Sequence, residues 1–216
     1  DVVVDPALPP VEGFKLVGSD GQDIPFEILD RKVDFGISYN RFDYPAQSLV
    51  ERFRVRFRSG DVPAVGMKAI RVVRSDSFGE APALVHKPYG YRITNGLMTL
   101  EAMEDGSFML TDHETGQVYG PMGHFEDNGD AGDEYNWSPP MKGDQIFDSR
   151  VSARIRVEVI KGGLRQGLRI YGSWDIPAGI TDDENHRREE MVPVHFTTTA
   201  WLTDGAKLVR LETTVD

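Results

Sequence analysis

The chain has 216 residues, enough for one large or two small domains with a buried core, and its 35 acidic against 24 basic residues leave a net charge of −11. That surplus of carboxylates excludes the clustered positive charge by which proteins grip nucleic acids and anionic membrane surfaces, so neither is expected as a partner. No apolar run approaches the roughly 18 residues of a membrane span, and the lack of cysteine removes disulfides, cysteine-ligated zinc and thiol catalysis. The acidic opening Asp1-Val-Val-Val-Asp5 has neither a leader's composition nor an initiating methionine, which suggests a cytoplasmic protein and a processed or excised piece of something longer.

Along the chain, 22 glycines and 13 prolines fall between apolar stretches, as turns punctuate strands. In Phe53-Arg-Val55-Arg-Phe57-Arg58 the apolar residues share one face of a strand, and Arg52, Arg54, Arg56 and Arg58 share the other, where they stay solvated or pair with carboxylates. The pattern breaks between Ser75 and Pro88 and divides the chain into a small domain, 1–80, and a larger one, 81–216. Leu97 to Met103, a Glu104-Asp-Gly-Ser107 turn and Phe108 to Thr111 predict a hairpin. Val151 to Val159 alternates strictly, stops at Gly162-Gly163 and resumes at Leu168 to Tyr171, which predicts a longer one. Val192 to Leu202, Asp204-Gly205 and Lys207 to Val215 predict a third. Helical periodicity is nearly absent. Thr181-Asp-Asp-Glu184 has the form of a capping box leading into Asn185 to Glu190, but without an apolar stripe it reads equally as a solvated loop. The fold class is all-β, built of sandwiches.

Glu126 to Pro140 departs from this grammar. Five carboxylates, Tyr135 and Trp137 stand in a Gly-rich, Pro-ended stretch that is too polar for a core strand and cannot be a helix. It is a loop open to four readings. Closely spaced Asp residues offer oxygen ligands for calcium, although Gly129 stands where an EF-hand counted from Asp127 requires Asp or Asn. Two of the carboxylates could serve as the acid and base of glycoside hydrolysis. A sugar-contacting lip would set Tyr135 or Trp137 against a pyranose, with Asp130, Asp133 or Asn136 on its hydroxyls. Finally, the loop could be a solvated acidic segment anchored by its aromatics.

Other candidates carry less. His86, His113, His124, His186 and His195 have no zinc-motif spacing, and Ser138 lacks a nucleophile elbow. Trp201 lies among His195, Thr197, Thr199 and Thr203 on its strand, either as a sugar platform or beneath a second packed layer.

Val62-Pro-Ala-Val-Gly-Met-Lys68, Tyr91-Arg-Ile-Thr-Asn95-Gly followed to Gly116, and Gly129-Asp130-Ala-Gly132-Asp133-Glu-Tyr135-Asn136-Trp-Ser138-Pro139-Pro140 resemble, in that order, the non-catalytic C-terminal β region of family-38 glycoside hydrolases. These are the α-mannosidases and mannosylglycerate hydrolases. The resemblance runs from about Leu8 to the end, and the Gly-Asp-x-Tyr-x-x-Ser-Pro run is its sharpest element. It implies a small β-sandwich followed by the first part of a galactose-mutarotase-like supersandwich, without the catalytic barrel. Zinc, nucleophile and acid/base residue of the intact enzyme would belong to that barrel, joined in the same polypeptide. The fragment itself would hold no catalytic residue and no metal, and would be inactive alone. The intact protein would hydrolyse mannose-containing carbohydrate with retention. Tyr135 would lie at the rim of the sugar site, with Asp133 and Asn136 fixing the loop or a hydroxyl, and Asp130 and Trp137 nearby. A homo-oligomer stays open. The rival expectation is a free-standing carbohydrate-binding or adhesion module gripping glycans through Trp137, Trp174 or Trp201.

Overall fold

The computed structural model describes residues 2–4, 11–38, 44, 46–140 and 146–216; Asp1, Asp5 and Leu8, used above, lie outside them. Strands dominate, and the described residues form two compact units, 1–84 with 162–164 and 85–161 with 165–216. No helix among them is long and apolar enough to cross a membrane.

The first unit contains β1 (Val2–Val4), β2 (Phe14–Val17), β3 (Asp23–Ile24), β4 (Phe26–Ser38), β5 (Ala46–Phe57) and β6 (Arg71–Arg74). They make two three-stranded antiparallel sheets, β1-β5-β4 and β3-β2-β6. Period-2 alternation decides what is buried: Phe53 and Val55 are fully enclosed, and Phe14 from β2 stacks on Phe26 at 5.0 Å and meets Phe53 edge-on at 5.2 Å. On the other face Arg52 pairs with Asp34 and Arg56 with Glu27, ion pairing that the surplus of acid suggests. Glu51, a charged residue that is buried, accepts from the Val11 N–H at 2.7 Å and from Arg31. Arg31 first, then the Val11 N–H, hold its carboxyl below the ordinary range.

The second unit contains β7 (Arg92–Thr94), β8 (Met98–Ala102), β9 (Phe108–Asp112), β10 (Val118–Met122), β11 (Glu126–Asp127), β12 (Phe147–Asp148), the one-turn helix α1 (Ser149–Ser152), β13 (Arg154–Ile160), β14 (Arg165–Pro177), β15 (Met191–Thr203) and β16 (Val209–Val215). All three predicted hairpins form, as β8/β9, β13/β14 and β15/β16, except that Val151 and Ser152, expected to open the second, lie in α1 and its strand starts at Arg154. Sheet β10-β9-β8-β7 and sheet β13-β14-β15-β16 pack their apolar faces together. Ile93, Leu100 and Phe108 meet Leu168, Ile170, Trp174, Phe196 and Leu202 in one buried cluster. This is sandwich packing of period-2 strands. Asn95, in the turn before β8, fastens the layers. Its Nδ2 donates to the carbonyls of Thr203 and Ala206, both at 2.7 Å, while its Oδ1 accepts from the N–H groups of Leu97 and Met98. The capping-box segment is not a helix. Thr181 closes a turn by accepting at Oγ1 from the His186 N–H, and Ile180 bridges Arg187.

Trp201 is no platform. The residue is 9% exposed, and its ring lies beside Gly167, where a Cβ would meet it at 2.7 Å. Arg165 sits 3.7 Å from the ring centroid, and the indole N–H donates to Glu212 at 3.0 Å. Trp174 is buried in the core. Of the chain's three tryptophans, Trp137 alone offers a surface.

Candidate functional site

The acidic stretch is a loop with a strand-like base. β11 pairs antiparallel with β12, Glu126 opposite Asp148 and Asp127 opposite Phe147, so the segment between them leaves and returns at one place. Inside it the aspartates serve their own backbone. Asp130 Oδ1 accepts from the N–H groups of Gly132 at 2.8 Å and Ser138 at 3.0 Å, and Ala131 N–H donates to the Ser138 carbonyl at 2.7 Å. Asp133 Oδ1 accepts from Tyr135 N–H at 2.9 Å and Asn136 N–H at 2.8 Å. Those two donors, Tyr135 first, keep the Asp133 carboxyl below its usual range. Such side-chain to backbone bonds are what Asp offers a turn. Gly132 is dictated by close approach: a Cβ there would lie 1.8 Å from the Asn136 carbonyl oxygen.

The aromatics behave differently. Tyr135 is 82% exposed and Trp137 57%. The indole N–H of Trp137 donates to the Gly129 carbonyl at 2.9 Å, which fixes the edge of the ring and leaves its face to solvent. All five residues singled out from the sequence, Asp130, Asp133, Tyr135, Asn136 and Trp137, therefore lie on one braced loop, with two carboxylates turned to internal work and two aromatics presented outward.

A residue that the sequence reading passed over stands at the base. Arg187, with a side chain only 5% exposed, bonds the Asp127 carboxylate through Nη2 and reaches the Asp127 carbonyl with Nη1 at 3.5 Å. Its partner is 60 residues earlier, so no local spacing could reveal it.

Among the described residues, His124, Glu126 and Asp148 form the one group of three side chains whose ligand atoms lie within 4.8 Å of each other. Asp148 is already committed, however. It caps α1 by accepting from the Arg150 N–H at 2.8 Å and takes the Arg150 guanidinium on both carboxylate oxygens. Arg150, first among the causes, lowers its carboxyl pKa. One imidazole, one exposed glutamate and a carboxylate neutralised by arginine do not fit a catalytic zinc, which takes three uncommitted ligands and an open position. His113 is likewise engaged, by Thr99 Oγ1 and the Gly96 carbonyl.

No family model matches the chain. A curated protein of Halalkalibacterium halodurans, named "Putative mannosylglycerate hydrolase", is 23% identical over 171 residues, which is 78% of this chain and 19% of that protein. Two solved structures from Enterococcus faecalis share the fold. An α-mannosidase superposes with a TM-score of 0.80 at 16% identity, over 94% of this chain and 24% of its own. A protein of glycosyl hydrolase family 38 superposes with a TM-score of 0.79 at 17% identity, over 94% and 25%. This chain thus spans about a fifth of the length of that curated relative and about a quarter of those structures. The resemblance to the β region of family-38 glycoside hydrolases holds in sequence and in fold.

Proposed function

We propose that this chain is the β portion of a larger family-38 glycoside hydrolase acting on mannose-containing carbohydrate, and that the Glu126 to Pro140 loop completes the rim of the sugar site. The observation that carries the reading is the division of labour in the loop. Asp130 and Asp133 spend carboxylate oxygens on backbone N–H groups, while Tyr135 and Trp137 face outward. Aromatic faces and a phenol held on a rigid support are suited to the apolar face and hydroxyls of a pyranose. Tyr135 would hydrogen-bond a sugar hydroxyl, and Asn136 would offer a second polar contact. As the resemblance implies, the metal and the carboxylates of retaining hydrolysis would belong to a barrel elsewhere in the longer polypeptide.

The test compares the 216-residue chain with the protein from its native reading frame on a chromogenic α-mannoside and on mannosylglycerate. Turnover is expected only in the longer protein, and Tyr135→Phe there should cut kcat/KM about tenfold or more, the scale of one lost polar contact to substrate. Turnover by the chain alone, or Tyr135→Phe kinetics equal to wild type, would remove the loop's assigned role. The free-standing binding module loses two of its three proposed tryptophans to burial.

A further inference from the structure

Two loops meet at one buried guanidinium. Arg187 belongs to the 178–190 connection between β14 and β15, which is itself held by backbone bonds from Ala178 to Glu190, Arg188 to Gly179 and Thr181 to His186. From that fixed support Arg187 bonds both the side chain and the carbonyl of Asp127, at the root of the acidic loop. Its guanidinium lies 5.4 Å from the ring centroid of Phe147, on the strand paired with β11. Gly129 packs against it so closely that a Cβ would fall 2.8 Å from Arg187 Cδ. The carbonyl of that same Gly129 receives the Trp137 indole N–H. Contacts therefore run from Arg187 through Asp127 and Gly129 to Trp137, two residues beyond Tyr135.

Arg187 holds this place at a cost. Its Nε is buried without a hydrogen-bond partner, and an orphaned donor on a buried cation is unfavourable. A planar fork, unlike a flexible ammonium, can bond two oxygens and stack on an aromatic ring at once.

We propose that Arg187 is a positioning residue: it latches the root of the acidic loop and so sets how Tyr135 and Trp137 are offered to carbohydrate. The ligand in this statement rests on the function proposed above, whereas the latch does not. The experiment uses the native-reading-frame protein with Arg187→Gln, Asp127→Asn, the double variant and Arg187→Lys. It measures hydrogen exchange at the amides of Ala131, Gly132, Tyr135, Asn136 and Ser138, and separately kcat and KM. Both single variants should speed exchange about tenfold and lower kcat/KM by roughly 10- to 100-fold, the cost of misplacing a binding group by about an ångström, chiefly through KM. The double variant should be no worse than either single, because both break one device, and Arg187→Lys should recover part of the loss. A core variant, Leu168→Ala, controls for stability and should leave KM unchanged. If Arg187→Gln does not fold, Asp127→Asn carries the same comparison from the other side of the latch. Unchanged exchange and unchanged KM in folded variants would overturn the proposal. Faster exchange with unchanged kinetics, in a protein whose Tyr135→Phe variant is also silent, would keep the latch and reject the carbohydrate-facing reading.

Discussion

Asp133 binds two successive backbone N–H groups with one oxygen, and that choice makes the loop sensitive to acid. Because its folded pKa is depressed, its contribution is full above the unfolded aspartate value of about 4 and is lost as pH falls through the folded value. In the 216-residue chain, where Trp137 is the exposed indole, acrylamide quenching of tryptophan emission should therefore stay flat from neutral pH to about 4 and rise below it. Asp133→Ala, which removes the acceptor of both N–H groups, should produce the raised level already at neutral pH; a profile identical to wild type would remove Asp133 as the brace. Asp183 follows the same sign. The Thr181 hydroxyl first, then the Asn185 side chain and backbone, lower its pKa to about 2, so the 178–190 turn keeps its anion well into acid. Carboxyl-carbon chemical shifts should titrate there, and a midpoint near the ordinary aspartate value would contradict the geometry.

At the scale of elements, burial on the sandwich follows alternation closely enough to be read in advance. Phe53 and Val55, and Leu168 and Ile170, are buried by simple period-2 counting. What escapes that counting is held by particular side-chain bonds, some local and some long-range. The buried Glu51 depends on Arg31 and Val11, α1 depends on the cap that Asp148 provides, and Arg187 depends on Asp127 across 60 residues. None has a periodic signature, which is why the acidic loop is legible in the sequence through its composition and its anchor is not. Thr181 shows the converse, a capping-box pattern whose hydroxyl closes a turn because no apolar stripe rewards a helix. Asn95 tests the interlayer tie. Asn95→Ala leaves the carbonyls of Thr203 and Ala206 and the N–H groups of Leu97 and Met98 without this partner, and should cost about 1–3 kcal/mol in urea unfolding. Gly172 tests the packing. A Cβ there would lie 2.0 Å from Phe196 Cζ, so Gly172→Ala should destabilise by about 1–3 kcal/mol through overpacking. A neutral result would mean that the ring moves freely.

For the whole molecule, the resemblance and the all-β reading converge on one architecture, since sandwiches of short antiparallel strands are what this turn-rich, helix-poor sequence can build. The net charge adds a property of its own when combined with the β4–β5 hairpin. Past the part covered by β1, that ribbon shows Val33, Phe35, Ile37 and Leu49, each about half exposed or more, along one face. At low salt the charge of −11 should oppose contact between copies; at about 1 M salt the screening length shrinks to roughly 3 Å and that opposition is largely lost. Light scattering of the chain should then report a mass that climbs with ionic strength, opposite to the behaviour of an ion-paired complex, and Phe35→Lys should flatten the climb. Salt thus becomes the variable to fix before any assay of this chain is compared with another.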